Sequence, residues 1–381
     1  MTLLIAARCL GQAATDSNQQ RQTAIALEQQ GKNAEAETAW RSYMKAHPSS
    51  AEPYAHLGLL EARQEHYSEA VPLYRRALVL NPAFPGLRLN LGLALFKGGE
   101  MKQAIVEFEP MLKRQLPGSP EAQRLVILLG MAHYGLGEYA AAAPYLKQAA
   151  THDQQNLPLR LALAHSCLWS KQYQCVLDTY HEILSLNAES AEADMLAGEA
   201  QDELKNTDGA LQEFRNAEKA NPKEPDVHFG LGYLMWRLME YGEAAQEFQA
   251  ELDNNPEHGQ AMAYLGDTEM KLGHPKDAIP VLEKAIRIDP RNELAHIDLG
   301  MMYADAGRRD EALRELKVAE ELTPGDQNVH WRLGRFYQSI GMKDEAKAEF
   351  DKTRNLQKAA DETTFKKLHP TGQTAGAPAA K

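Results

Sequence analysis

The sequence predicts an all-α fold, a solenoid of about ten stacked helix-turn-helix units, and three observations carry that prediction. The chain repeats itself every 34 residues, one position of each repeat is always Gly or Ala, and another is always large and apolar. Composition points the same way. A chain of 381 residues exceeds the usual size of a single core, and Ala, Leu, Glu, Gln and Lys crowd out the strand formers.

Taken in order, residues 1–16 come first. Met1 to Ala14 reads MTLLIAARCLGQAA, a short apolar stretch followed by small residues that suit a signal peptidase. Arg8 interrupts it, and no basic cluster precedes it, so this stretch is either a signal-peptide remnant or a disordered end. Export and a cytoplasmic location both stay open. A lipid anchor on Cys9 is disfavoured because Arg8 stands where a small residue is expected.

The repeats occupy 17–360. They start at Ser17, Ala51, Pro85, Gln123, Leu157, Ala191, Pro225, Gly259, Glu293 and Gln327, with one insertion of four residues in the LPGSPEA turn before Gln123. The segments ending at Pro82 and Pro256 superimpose without a gap. The eighth position reads Ala24, Gly58, Gly92, Gly130, Ala164, Gly198, Gly232, Gly266, Gly300 and Gly334. Gly inside a helix costs about 1 kcal/mol relative to Ala, so its recurrence at one phase demands close helix contact there. The twentieth position is Ala in every unit but the fifth, which has Val176. The twenty-fourth reads Trp40, Tyr74, Phe108, Leu146, Tyr180, Phe214, Phe248, Leu282, Leu316 and Phe350, side chains expected to fill the space between neighbouring repeats. Pro48, Pro82, Pro222, Pro256, Pro290 and Pro324 close the second helix, where a proline ends the hydrogen-bond ladder. Repeats four and five lack that proline (Gln154, Ala188), and looser or differently angled packing is expected there.

An array of this kind needs its ends covered. Lys358 replaces the closing proline of the last unit, so the final helix should continue over 361–368 and lay Phe365 and Leu368 across the open end before His369 and Pro370 stop it. Residues 369–381 are small and polar, and are expected to be a disordered tail.

Across Ser17 to Ala360 the chain resembles the tetratricopeptide repeat family, whose pattern is an aromatic, Leu-Gly, a later Ala, an aromatic and a closing Pro. The resemblance implies a right-handed superhelical solenoid. It also implies binding of an extended or helical polypeptide in a concave groove lined by the first helix of each repeat, at positions 2, 5, 9 and 12. In repeats three to five these positions supply Leu89, Leu93, Phe96, Ile127, Met131, Tyr134, Leu161, His165 and Leu168, and in repeat seven Phe229, Tyr233 and Trp236. Beside this apolar strip, Glu192, Glu199, Asp202, Asp267, Asp298 and Asp305 make an acidic stretch that would fit a basic segment. Its plainer reading is a solvated face on an acidic protein. Some family members hold the acidic carboxyl end of chaperones with a Lys and Asn clamp. The nearest fragment here is Asn90 with Arg124, preceded by Ala55 and Leu59, and does not match.

Cys167 and Cys175 fall on facing positions of the two helices of repeat five. A disulfide is open in an oxidising compartment, while spacing alone, which cannot guarantee bond geometry, favours free thiols. His165, Cys167, Cys175 and His181 lack the tight paired spacing of a zinc site. The thirteen His otherwise look like helix-surface residues.

A formal net charge of -12 without any basic run argues against nucleic acid. No stretch is apolar enough to span a membrane. No phosphate-binding loop, zinc-protease motif or nucleophile elbow occurs, so no cofactor, metal or catalytic residue is expected. The reading that follows is a non-catalytic interaction scaffold with a protein or peptide partner. The alternatives are a substrate-guiding arm of a separate enzyme, such as a glycosyltransferase, and a self-assembling rod. Oligomeric state is not legible.

Overall fold

The computed structural model describes residues 17–186 and 190–368, with side chains defined as far as Glu362. The leader stretch and the tail considered above lie outside the described residues. Among those described, every regular element is a helix, from α1 (17–29) and α2 (Asn33–Ala46) to α20 (Lys343–Leu368), and the twenty helices alternate as first and second helices of the ten repeats. The fold is an all-α helical repeat. The chain divides into two compact units, 1–189 and 190–381, the first holding repeats one to five and the second repeats six to ten.

First helices begin where the repeat phase puts them in α3 (Ala51–Arg63), α9 (Leu157–Trp169), α11 (Ala191–Glu203), α15 (Gly259–Lys271), α17 (Glu293–Asp305) and α19 (Gln327–Ser339). Two start late, α5 (Leu87–Lys97) and α13 (Val227–Arg237), because Gly86 (φ 71°) and Asp226 (φ 64°) take the left-handed conformation just before them. One starts early. Ser119 Oγ accepts the Ala122 N–H at 3.2 Å, and Pro120 follows in the first turn, where its missing amide costs nothing, so α7 (Pro120–Gly135) precedes the expected Gln123.

The small eighth position and the large twenty-fourth are partners inside one repeat. A Cβ built on Gly58 would lie 2.8 Å from Tyr74, one on Gly198 2.7 Å from Phe214, and one on Gly232 2.8 Å from Phe248. Each ring therefore stands on the glycine of its own first helix, not chiefly between repeats. Phe214 does both, since a Cβ on Gly230 of the next repeat would sit 3.2 Å from the same ring. The alanines of the twentieth position are buried throughout, from Ala36 to Ala346.

In repeat five, where Ala164 and Val176 replace the usual pair, a disulfide joins Cys167 on α9 to Cys175 on α10 (Tyr173–Ser185), with Cα atoms 5.8 Å apart. The spacing had favoured free thiols, and the structure bonds the pair.

The fifteenth position is a second invariant that residue types alone conceal. Gly31, Gly99, Gly137, Gly273, Gly307 and Gly341 have φ between 71° and 84°, and the other four repeats put Glu65, Lys171, Lys205 and Met239 at φ 60–64°. All ten first helices thus end on a left-handed residue.

Three histidines correct the expectation that these residues sit on helix surfaces. His228, His296 and His330, each the fourth residue of its repeat, are buried. In each, Nδ1 lies 2.7 Å from a second-helix glutamate, Glu247, Glu315 and Glu349 respectively, and Nε2 lies 3.0–3.1 Å from the carbonyl of Pro222, Pro290 or Pro324, which closes the preceding repeat. The ring ties a repeat internally and to its neighbour in one contact. At the carboxyl end, α20 continues as far as Leu368, while the side chains of Phe365 and Leu368 lie outside the described residues.

Candidate functional site

In the first unit, α5 carries Leu89, Leu93 and Phe96, α7 carries Ile127, Met131 and Tyr134, and α9 carries Leu161, His165 and Leu168. Eight of these nine are half-buried, and Leu168 is buried. A helical spacing of three to four residues puts them on one side of each first helix, and half-burial is what an apolar strip at the edge of a core should show. Tyr134 and His165 come together from adjacent repeats, with centroids 6.3 Å apart. Tyr139 and Trp169, which the repeat phase had not singled out, extend this edge. Their rings lie 6.1 Å apart, and Trp169 is 64% exposed.

In the second unit, α13 carries Phe229, Tyr233 and Trp236, all half-buried. These three converge on Tyr264 of α15, with centroid distances of 5.8, 5.5 and 5.2 Å and near-perpendicular rings, the arrangement that aromatic quadrupoles favour. His258 lies flat against Phe229 at 5.0 Å. Tyr264 escaped the sequence reading because it occupies position six, beside the positions taken as groove-lining.

Charge surrounds this cluster unevenly. Trp236 Nε1–H donates to Asp267, and Lys271 pairs with the same carboxylate while its ammonium lies 4.7 Å from the Trp236 ring centroid. Asp267 and Asp298, expected on a solvated acidic face, are instead buried, at 3% and 1% exposure. Burial, and then the neighbouring Asp267 carboxylate, push the Asp298 carboxyl up to about 8, against the opposing charges of Arg332 and Lys271. Asp298 Oδ2 has no hydrogen-bond partner. Glu192 and Asp202 are half-buried, while Glu199 and Asp305 are exposed.

Next to Phe229 and Tyr233 lies a cleft of about 340 Å³, walled by Met195, Glu199, Asp202 and Glu203 of α11, by Asp226, Gly230 and Leu234, by Gln260, and at its base by Phe214. Arg237 pairs with Asp202, and its guanidinium carbon lies 5.7 Å from the Tyr233 centroid. His258 Nε2–H donates to Asp226 at 2.7 Å, which lowers the Asp226 carboxyl and raises the His258 ring. His258 Nδ1 accepts the Ala261 amide, so a proton there would exchange the α15 cap for a stronger Asp226 pair.

The Cys167–Cys175 bond removes both thiolates from any metal set with His165 and His181. Among the described residues, Asp226, Glu251 and His258 bring three candidate ligand atoms together, as do three other groups. The histidines of these groups are already engaged: His258 in the contacts above, His228 and His330 in the repeat ties, and His274 with Glu269 at 2.7 Å. No helix among the described residues is long and apolar enough to cross a membrane.

Models of the tetratricopeptide repeat match residues 21–85, 56–120, 89–157, 177–225, 195–259, 229–293 and 269–330. The chain belongs to the tetratricopeptide repeat family. Members of this family are generally protein-interaction scaffolds. Between residues 21 and 330 the matches leave out 158–176, which holds all of α9 but its first residue and the start of its disulfide-linked partner helix. No curated protein matches the chain. Among solved structures, a tetratricopeptide repeat protein from Parabacteroides merdae is 17% identical with a TM-score of 0.50, and the match covers 70% of this chain and 97% of that one. YrrB, described as a protein of this family with an unusual peptide-binding site, is 24% identical over 47% of this chain and 92% of its own, with a TM-score of 0.40. MamA from Desulfovibrio magneticus is 22% identical over 46% of this chain and 99% of its own, with a TM-score of 0.41. These likenesses concern the fold.

Proposed function

We propose that this tetratricopeptide protein is a non-catalytic scaffold that holds an extended or helical polypeptide against its first-helix faces, with Phe229, Tyr233 and Tyr264 as the main anchor. The observation that carries this reading is the half-exposed aromatic cluster on α13 and α15. Rigid aromatic side chains supply large contact area at small entropic cost, and a few such residues usually dominate an interface. The apolar strip of Leu93, Phe96, Met131 and Tyr134 in the first unit offers a second surface of the same kind.

The test is to select ligands from a random dodecapeptide library on the immobilised chain, then remeasure one by fluorescence polarisation with Phe229→Ala/Tyr233→Ala. Trp236 is kept, because its indole satisfies the buried Asp267. The expected result is at least a tenfold loss of affinity, as for a lost anchor worth about 1.4 kcal/mol or more, with unchanged far-UV circular dichroism. Undiminished affinity would sink the reading.

A further inference from the structure

The fourth position of the repeat carries a basic side chain in repeats three, five, seven, nine and ten, and in each it pairs with a glutamate of the second helix. In the first unit that side chain is arginine. Arg88 reaches Glu107, nineteen residues on in α6 (Met101–Leu112), at 2.9 Å. Buried Arg160 pairs with Glu182 of α10 at 3.4 Å and donates to the Asp153 carbonyl of the preceding repeat at 3.3 Å. In the second unit the position holds His228, His296 and His330, and their glutamates again lie nineteen residues on.

Hydrogen-bond chemistry decides the charge of these rings. A backbone carbonyl only accepts, so Nε2 of each ring, 3.0–3.1 Å from a proline carbonyl, carries a hydrogen. An ionised carboxylate also only accepts, so Nδ1, 2.7 Å from its glutamate, carries a second. Only the imidazolium form has both, and it supplies the charge that arginine supplies at this position in the first unit. The groups around the rings are mostly anionic. His228 faces Glu247 of α14 (Tyr241–Asn254) and, within 4.8 Å, Glu218 of α12 (Thr207–Ala220). His296 faces Glu315 of α18 (Arg309–Leu322). His330 faces Glu349 of α20 and, at 3.7 Å, Glu320 of α18; Lys352 pairs with both of these carboxylates and Lys317 with Glu320.

We infer that His228, His296 and His330 are held as imidazolium rings and make the second unit a pH switch, whereas the first unit, tied by arginine at the same position, has none. Loss of a proton sets a bare Nδ1 against the carboxylate and leaves a glutamate charge without its counter-ion, at three ties within one unit. The ties are at full strength in acid and are lost as the pH rises, a change that arginine does not undergo. Helix α13 feels it directly. His228 immediately precedes Phe229 and fastens the helix that carries Phe229, Tyr233 and Trp236 to α14 and to Pro222. The switch stands on the ties alone and does not depend on what the aromatic cluster binds.

Two measurements on the full chain test this. With isotopically labelled histidine, nuclear magnetic resonance should show two N–H nitrogens in each of the three rings at neutral pH, the rings being assigned by the signals lost from His228→Arg, His296→Arg and His330→Arg chains. A bare nitrogen in them would overturn the inference. Hydrogen exchange followed by mass spectrometry, corrected for intrinsic rate, should show protection in α13, α17 and α19 falling at least tenfold between about pH 6 and pH 8.5, with α5 and α9 little changed. Asp298→Asn is present throughout the exchange measurement, because Asp298 brings a pH dependence of its own. The same chain with all three histidines changed to arginine should keep its protection at the higher pH. Protection that persists there in the histidine chain, or that falls as far in the arginine chain, would overturn the switch. If the triple variant does not fold, the ring nitrogens and the exchange of the histidine chain decide the matter alone.

Discussion

Glu65, Lys171, Lys205 and Met239 hold a backbone conformation that six other repeats give to glycine, and exchanging all four for glycine should stabilise both units. Their φ values of 60–64° lie in the left-handed region, where an L side chain crowds the following carbonyl at a cost of about 1–2 kcal/mol. Glycine returns roughly 0.5–1 kcal/mol of that through the greater freedom of its unfolded chain. The net gain is about 0.5–1 kcal/mol per site. Little packing is surrendered, because all four side chains are exposed, Met239 at 74%. The cap itself is untouched: the Lys171 amide still reaches the Leu168 carbonyl at 2.9 Å, and the Met239 amide reaches that of Trp236 at 3.0 Å. The sites lie in four different repeats, so their effects should add to about 2–4 kcal/mol, shared between the units. Urea unfolding followed by far-UV circular dichroism should show a higher midpoint with little change in slope. A quadruple variant that melts at or below the natural midpoint would refute the strain argument. So would Gly273→Ala, at φ 82°, if it left the midpoint unmoved, since the reverse exchange should cost about 1 kcal/mol.

Asp298 should make stability fall with rising pH. Its folded carboxyl is raised from 3.8 to about 8, so between those values the unfolded chain has released a proton that the folded one retains, and above about 8 the curve flattens. Asp298→Asn should remove this dependence and stabilise the chain at pH 8 by on the order of a few kcal/mol, seen in thermal melts from pH 5 to 9; a variant with the natural pH profile would exclude Asp298 as its source. His296→Ala should cost about 2–3 kcal/mol in urea unfolding by orphaning buried Glu315 and the Pro290 carbonyl, whereas His274→Ala, at an exposed pair, should cost under about 1 kcal/mol. Reduction of Cys167–Cys175, which closes a span of eight residues, should lower the stability of the first unit by about 2–3 kcal/mol on loop entropy. A Cys167→Ser/Cys175→Ser chain should then melt identically with and without dithiothreitol.

The fold was largely legible because its repeat rests on volume, and volume is written directly in residue type. Gly198 beneath Phe214 and Gly232 beneath Phe248 are contacts that only a small residue permits, so their phase survives everything else that varies. The fifteenth position was not legible. There the constraint acts on backbone angle, which Lys205 and Met239 can meet at a cost, so residue type marks it in only six repeats. The histidine tie was missed for a different reason. His228, His296 and His330 recur at one phase, but their partners lie nineteen residues on and six residues back, and only the folded hairpin brings those together.

The candidate site shows where phase stops being informative. Tyr233 and Asp267 both occupy the ninth position of their repeats, and the repeat phase sends both toward the same face. Tyr233 stays half-exposed, while Asp267 is buried, because Trp236 from the repeat before and Lys271 from the next turn of its own helix close over it. Phase fixes the direction in which a Cβ points; the reach of neighbouring side chains decides whether water or a ligand can follow. Glu199 has the same phase again and remains exposed beside the cleft. Two carboxylates at one repeat position therefore end differently, Asp267 buried beneath Trp236 and the cationic Lys271 one turn on, Glu199 exposed with another carboxylate, Glu203, one turn on.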